Sequence, residues 1–171
     1  LALVGMLEAG SSLVAAFDRG VKLFAETPSR FATAAAVVLD PHTHEIEWIN
    51  AGHLPPLVVS PNGATRELAI TGPLLSALGG SWTSARTTIS PDDIVVMWTD
   101  GITESRDAAG EELEVSGLTK IITGAQANAQ VEPVHLVRKV LAAGRARAVN
   151  WGSDDRTLVI AAFDDARRSD T

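Results

Sequence analysis

Ile94-Val95-Val96-Met97-Trp98-Thr99-Asp100-Gly101 is the stretch on which the fold turns. Five apolar residues in a row, entered through the turn signal Pro91-Asp92-Asp93 and left through Asp-Gly, read as a short, very apolar strand at the centre of its sheet. Outward from it lie further strands. Phe31 to Leu39 is a near-continuous apolar run, as expected of a strand buried on both faces. Asp40-Pro41-His42-Thr43 then turns the chain, and Glu45 to Ile49 alternates with one wet face. Leu57-Val58-Val59 leads into Ser60-Pro61-Asn62-Gly63, a hairpin signal, with Arg66 to Ile70 returning. Trp82 to Ile89 is another candidate, and Thr157 to Phe163 is the last.

Helical periodicity frames these strands. Leu3, Leu7, Leu13, Phe17, Val21 and Phe24 line one apolar face across residues 1–27, with Gly10-Ser11-Ser12 dividing the run into two helices and Pro28 ending the second. Residues 111–148 return to helix, with Leu113, Leu118, Ile121 and Ile122 in one stretch. Val134, Val137, Val140 and Leu141 mark the next, which Pro133 suits in its first turn. Arg145 and Arg147 read as a solvated helix end, His42, His44 and His135 as surface positions, and the four tryptophans as core or cleft wall. Strands grouped first and helices after them indicate an α+β domain over residues 1–163, with 164–171 a charged tail.

Composition narrows the function. The 171 residues are 46% hydrophobic and 20% charged, enough for the core of one ordinary domain. No apolar run reaches the roughly 18 residues of a membrane span. A net charge of −7 disfavours nucleic acid and anionic membrane surfaces. The absence of Cys excludes disulfides, zinc–thiolate sites and cysteine nucleophiles. The chain opens Leu1-Ala2-Leu3-Val4, without Met or a basic leader, and is expected to be a piece of a longer protein.

What remains is the placing of acids. Asp100 directly follows one apolar strand, and Asp154-Asp155 directly precede another. Carboxylates at rigid strand ends can ligate a hard cation such as Mg²⁺ or Mn²⁺. The same residues also serve as ordinary turn formers. Spacing does not choose between these readings.

A series of motifs does. Arg30-Phe31-Ala32-Thr33-Ala34, Leu39-Asp40 and Asn50-Ala51-Gly52-His53-Leu54-Pro55-Pro56-Leu57 are followed by Gly72-Pro73-Leu74-Leu75 and Leu78-Gly79. Then come Trp98-Thr99-Asp100-Gly101-Ile102-Thr103-Glu104-Ser105-Arg106, Gly110-Glu111-Glu112 and Ser153-Asp154-Asp155-Arg156-Thr157-Leu158-Val159. In this order they resemble the bacterial PPM-type (type 2C-like) protein serine/threonine phosphatases, in the branch of the sporulation and stress-response regulators. The resemblance spans about residues 30–163. It implies an αββα sandwich of two antiparallel sheets flanked by helices, here expected to be without its N-terminal strands.

It also implies two divalent ions, Mn²⁺ or Mg²⁺, sharing a water. Asp100 and Asp154 match the catalytic, metal-binding aspartates, and Gly101 offers its carbonyl to a metal through water. Asp155 and Gly52 support the site, and His53 and Glu104 stand where a third metal or a proton donor would sit. A phosphomonoester dianion repels hydroxide, so such a site must neutralise charge and supply a nucleophile near neutral pH, which metals about 3.5–4 Å apart do. The family's bridging Asp, in a Gly-Asp-type motif ahead of the first helices, has no counterpart here. The chain alone is therefore expected to turn over little substrate, and a parent carrying that motif to be Mn²⁺-dependent. The implied substrate is a phosphorylated anti-sigma-factor antagonist, in the cytoplasm, with a sensory or receiver domain upstream whose state the leading helices would transmit. The alternative is a catalytically silent PPM-like module that binds a phosphorylated partner.

Overall fold

The computed structural model describes residues 12–25, 31–126, 132–149, 151–152 and 154–163, with the side chains of residues 23–25 excepted. In chain order the elements are α1 (Leu13–Ala25), β1 (Phe31–Ala32), β2 (Ala34–Asp40), β3 (Glu45–Ala51), β4 (Leu57–Val59), β5 (Thr65–Glu67), β6 (Leu75–Ser76), β7 (Ala85–Thr88), β8 (Ile94–Trp98), α2 (Asp100–Thr103), α3 (Glu114–Gln126), α4 (Pro133–Arg147) and β9 (Leu158–Ala162). They fall into two compact units, residues 1–55 with 68–88, and residues 56–67 with 89–171. Every strand pairing between these elements is antiparallel.

The first unit holds a three-stranded sheet in the order β2-β3-β7 and the two-stranded ribbon β1-β6. Asp40 makes the β2–β3 turn, its Oδ1 accepting the N–H of His42 at 2.8 Å and of Thr43 at 3.3 Å. Helix α1 begins where Ser12 Oγ accepts the N–H of Ala15 at 3.1 Å, so the Gly-Ser-Ser interruption includes an N-cap. Its Leu13 and Val21 pack with Ile49, Ala51, Leu75 and Trp82, and Phe17 lies 5.8 Å from the Trp82 ring. The expected helix over the first eleven residues, Phe24 and Pro28 lie outside the described residues and side chains.

The run from Phe31 to Leu39 departs from its reading. It divides at Thr33, Phe31 is 77% exposed, and β2 is half-buried. The reason is position: β2 lies at the end of its sheet's strand order, so an apolar run is not enough to place it inside.

The second unit is built on β8. Its sheet runs β5-β4-β8-β9, so Ile94–Trp98 is an inner strand, as its composition predicts. The preceding turn is closed by buried Asp93, whose Oδ2 accepts the Ser90 N–H at 2.9 Å. The Asn62-Gly63 hairpin forms, with Gly63 at φ +86, a backbone state that suits glycine. Helix α4 packs on α3 and on β9. Leu118 and Ile122 of α3 are fully buried, each contributing about 1.5–3 kcal/mol. On α4 the buried face is Leu136, Val140 and Gly144, while Val134 is 50% exposed. The inward stripe follows i, i+4 from Leu136, and the earlier grouping of valines straddled its edge.

Candidate functional site

Two strand ends meet in the second unit. Trp98 of β8 pairs with Leu158 of β9, and the pairing runs on as the Thr99 N–H donates to the Thr157 carbonyl at 3.1 Å. The Thr99 side chain then joins the two segments a second time. Its Oγ1 donates to the Asp155 carbonyl at 3.0 Å and accepts the Thr157 N–H at 2.8 Å. Thr99 drew no notice in the sequence. A hydroxyl beside an acid is a weak signal, and only the pairing of β8 with β9 shows what it holds.

Asp100 opens α2, a single helical turn directly after β8. The turn is pinned from beneath: Gly101, Ile102 and Thr103 are buried, and the Thr103 and Ser105 hydroxyls donate to the carbonyls of Asp100 and Ile102 at 3.3 and 2.7 Å. Asp100 itself is exposed. Glu104 caps the turn through its N–H to the Asp100 carbonyl at 2.8 Å, and its side chain is exposed.

Gly101 makes the meeting of the segments possible. A Cβ there would lie 2.5 Å from the Asp155 carbonyl oxygen and 3.3 Å from both the Asp154 Cβ and the Arg156 Cγ. No side chain fits such a gap without moving backbone, so glycine is a packing requirement and brings the Asp154 segment against the Asp100 turn. Asp100, Gly101, Asp154 and Asp155 are thereby brought together. Each of the two aspartates accepts the N–H that follows it, Gly101 at 2.9 Å and Asp155 at 2.7 Å, and among the described residues neither enters an ion pair.

His53 and Gly52 belong to the first unit. Gly52 has φ +69, and a Cβ on it would meet Leu74 Cβ at 3.2 Å. The fully buried Asn50 shapes this turn: its Oδ1 accepts the His53 N–H at 2.8 Å and its Nδ2 donates to the His53 carbonyl at 3.1 Å. The His53 ring shares a hydrogen through Nδ1 with the Thr33 hydroxyl at 2.9 Å, which leaves Nε2 for any proton transfer or ligation.

Among the described residues no group of three or more His, Asp and Glu side chains is arranged to hold a metal ion. The two-carboxylate set of Asp100 and Asp154 still fits a hard cation. Mg²⁺ is typically bound by one or two carboxylates together with waters and substrate phosphate, rather than by a full protein cage. The fit rests on the Gly101 gap, which brings a second acidic segment against the first.

Arg147 corrects the reading of a solvated helix end. From the last turn of α4 its Nη2 donates to Asp107 Oδ2 at 3.0 Å and to the Glu111 and Glu112 carbonyls at 2.8 and 3.1 Å, while Nη1 donates to the Ser105 carbonyl at 3.2 Å. A guanidinium presents several donors in one plane, and here they close the loop that follows α2. Asp107 in turn accepts the N–H groups of Ala109 and Glu111, and this lowers its pKa from 3.8, with the Arg147 charge adding to the effect.

Comparison with known proteins bears on the family and the fold. The family model described as Stage II sporulation protein E (SpoIIE) matches residues 3–164. Protein IcfG of Synechocystis sp. is 29% identical over 112 residues, which are 65% of this chain and 18% of IcfG. Among solved structures, the RsbU and RsbW domains of Rv1364c from Mycobacterium tuberculosis match with a TM-score of 0.73 at 24% identity, over 89% of this chain and 43% of that one. The PP2C phosphatase domain of the cell fate determinant SpoIIE from Bacillus subtilis, with a fragment of its regulatory domain, matches at 0.73 and 14%, over 91% and 46%. RsbX in complex with magnesium matches at 0.66 and 14%, over 91% and 67%. At these identities the solved structures show the fold, which is PP2C-like. The chain spans less than half of IcfG and of the Mycobacterium chain.

Proposed function

The chain belongs to the SpoIIE family, in the sporulation and stress-response branch of bacterial PPM-type phosphatases, and from that premise we propose that it hydrolyses phosphoserine or phosphothreonine on a regulatory protein with the help of divalent metal. The observation that carries the reading is the close approach at Gly101, which sets two exposed aspartates, neither in an ion pair among the described residues, on adjoining segments. Asp100 and Asp154 would hold Mn²⁺ or Mg²⁺, two ions in the full site, with the Gly101 carbonyl contributing through water. Bound metal supplies a water-derived nucleophile near neutral pH and neutralises phosphoryl charge.

The chain's own part is geometric. Thr99 and Gly101 hold the acidic segments together, the buried hydroxyls of Thr103 and Ser105 keep the Asp100 turn from unwinding, and Asp155 extends the acidic end. Glu104, at the end of the Asp100 turn, is proposed as a ligand of a further metal. An anti-sigma-factor antagonist is the proposed substrate, by analogy with the branch.

The test is hydrolysis of a phosphoserine protein by the full-length gene product. Turnover should vanish in chelator and return with Mn²⁺ or Mg²⁺, and Asp100→Asn and Asp154→Asn should each abolish it. Wild-type rates in chelator, or in both variants, would overturn the metal reading. Capture of the phosphoprotein without turnover would overturn the hydrolase reading in favour of a binding module.

A further inference from the structure

Arg156 sits beside the acidic pair with a cation that has already been spent on the protein. Its guanidinium carbon lies 4.6 Å above the centre of the Trp151 ring. Its Nη1 donates to the Asp154 carbonyl at 2.8 Å and to the Trp151 carbonyl. Trp151 is seated in turn on α4: a Cβ on the buried Gly144 would lie 2.8 Å from the ring's Cζ3. At the other end a Cβ on Gly101 would lie 3.3 Å from the Arg156 Cγ. An unbroken series of contacts therefore runs from Gly144 through the Trp151 ring and the Arg156 guanidinium to the backbone of Asp154, which lies against Gly101.

We propose that Arg156 is a positioning residue for the acidic pair. It braces the Asp154 segment between α4 and the Asp100 turn, and so sets how well the two carboxylates present themselves to a cation. Arginine suits this where lysine does not. Its planar head lies over an aromatic face while Nη1 donates to two carbonyls. With those bonds made to carbonyls, the guanidinium acts on the protein's own backbone rather than on substrate phosphate. Replacing a group that orients a metal ligand commonly costs about 10–100-fold in metal affinity.

The inference rests on the metal role proposed for Asp100 and Asp154, so its test includes measurements independent of that role. In the full-length protein, Arg156→Ala should weaken Mn²⁺ binding, followed by titration calorimetry or Mn²⁺ spin resonance, by about tenfold. The KM for a phosphoserine substrate at saturating Mn²⁺ should stay unchanged. Arg156→Lys should recover part of the loss by restoring the stacked charge, and it serves in place of the Ala variant if that one does not fold. Gly144→Ala, which displaces the Trp151 ring without touching the acidic segment, should also weaken Mn²⁺ binding.

In metal-free protein, Arg156→Ala should speed hydrogen exchange at the Asp155 and Thr157 amides. A raised KM with unchanged Mn²⁺ affinity would make Arg156 a phosphate anchor and overturn the brace. Wild-type Mn²⁺ affinity in both Arg156 variants would overturn it as well. If the wild-type protein binds no Mn²⁺, the metal reading fails and the exchange measurement still decides the brace, with unchanged protection refuting it.

Discussion

Asp107 and the pair Asp100–Asp154 lie in the same unit, Asp107 half-buried and the other two exposed, and the chain treats them differently. Asp107 takes two backbone N–H groups on Oδ1 and the Arg147 guanidinium on Oδ2, so its carboxylate is consumed in closing a loop. Asp100 and Asp154 each take only the adjoining amide, on Oδ1, and meet no cation in an ion pair among the described residues. Asp107 is a fastening and the other two are offered outward. Asp107 spends both oxygens on the fold, whereas Asp100 and Asp154 each keep Oδ2 without a hydrogen-bond partner among the described residues.

Exchange of each for its amide counterpart, Asn, should separate the two kinds most widely. Asp100→Asn and Asp154→Asn should lower metal-dependent phosphatase activity at least about 100-fold, since several kcal/mol of charge stabilisation leave with the ligand. Their melting temperatures should stay near wild type. Asp107→Asn should do the reverse, keeping activity and losing some stability. Paired assays of turnover and thermal unfolding read this directly. Equal losses in all three variants would erase the distinction.

Gly101→Ala should come next. Its Cβ would need to occupy a position 2.5 Å from the Asp155 carbonyl oxygen. The segments must part, at a cost of about 1–3 kcal/mol by the usual penalty for overpacking. Activity should fall along with stability, because the acidic segments separate. Thr99→Val, nearly equal in volume, removes both side-chain hydrogen bonds between the segments and should cost about 1–3 kcal/mol, having left polar backbone groups without partners. Denaturant titration of each variant measures these losses.

Much of this was legible in the linear sequence. The inner position of Ile94–Trp98, the Asn62-Gly63 hairpin, the Asp40 turn and the two late helices all announce themselves through composition and punctuation. Asp100 and Asp154 stood out because each adjoins an apolar strand. What escaped was whatever depends on neighbours distant in the chain. Phe31 looks buried by type and is exposed because its strand belongs to a two-stranded ribbon. Thr99 and Arg147 look like ordinary polar residues, and only pairing and packing disclose what each fastens. Arginine at a helix end is commonly solvated, so local pattern alone favoured the wrong reading of Arg147.

That residue gives the final contrast within the fastening itself. Arg147→Ala withdraws donors from three carbonyls at once and should destabilise the protein by about 1 kcal/mol or more. Asp107→Asn removes the carboxylate's charge and turns one of its two accepting oxygens into a donor, and the part due to charge should appear as pH dependence. The folded state holds the Asp107 carboxyl below its ordinary value of 3.8, through the N–H groups it accepts and the Arg147 charge. The stability this contributes is therefore present in full above the unfolded value and is lost as pH falls through the folded one. Unfolding titrations from neutral pH down past 3.8 should show the wild type losing part of its advantage over Asp107→Asn at the acid end. With Arg147 already replaced, the same Asp107 exchange should give a shallower acid-limb difference, because one source of the lowered value has gone while the backbone N–H groups remain. An acid limb identical in all of these variants would mean that the loop's closure does not depend on the charge of Asp107.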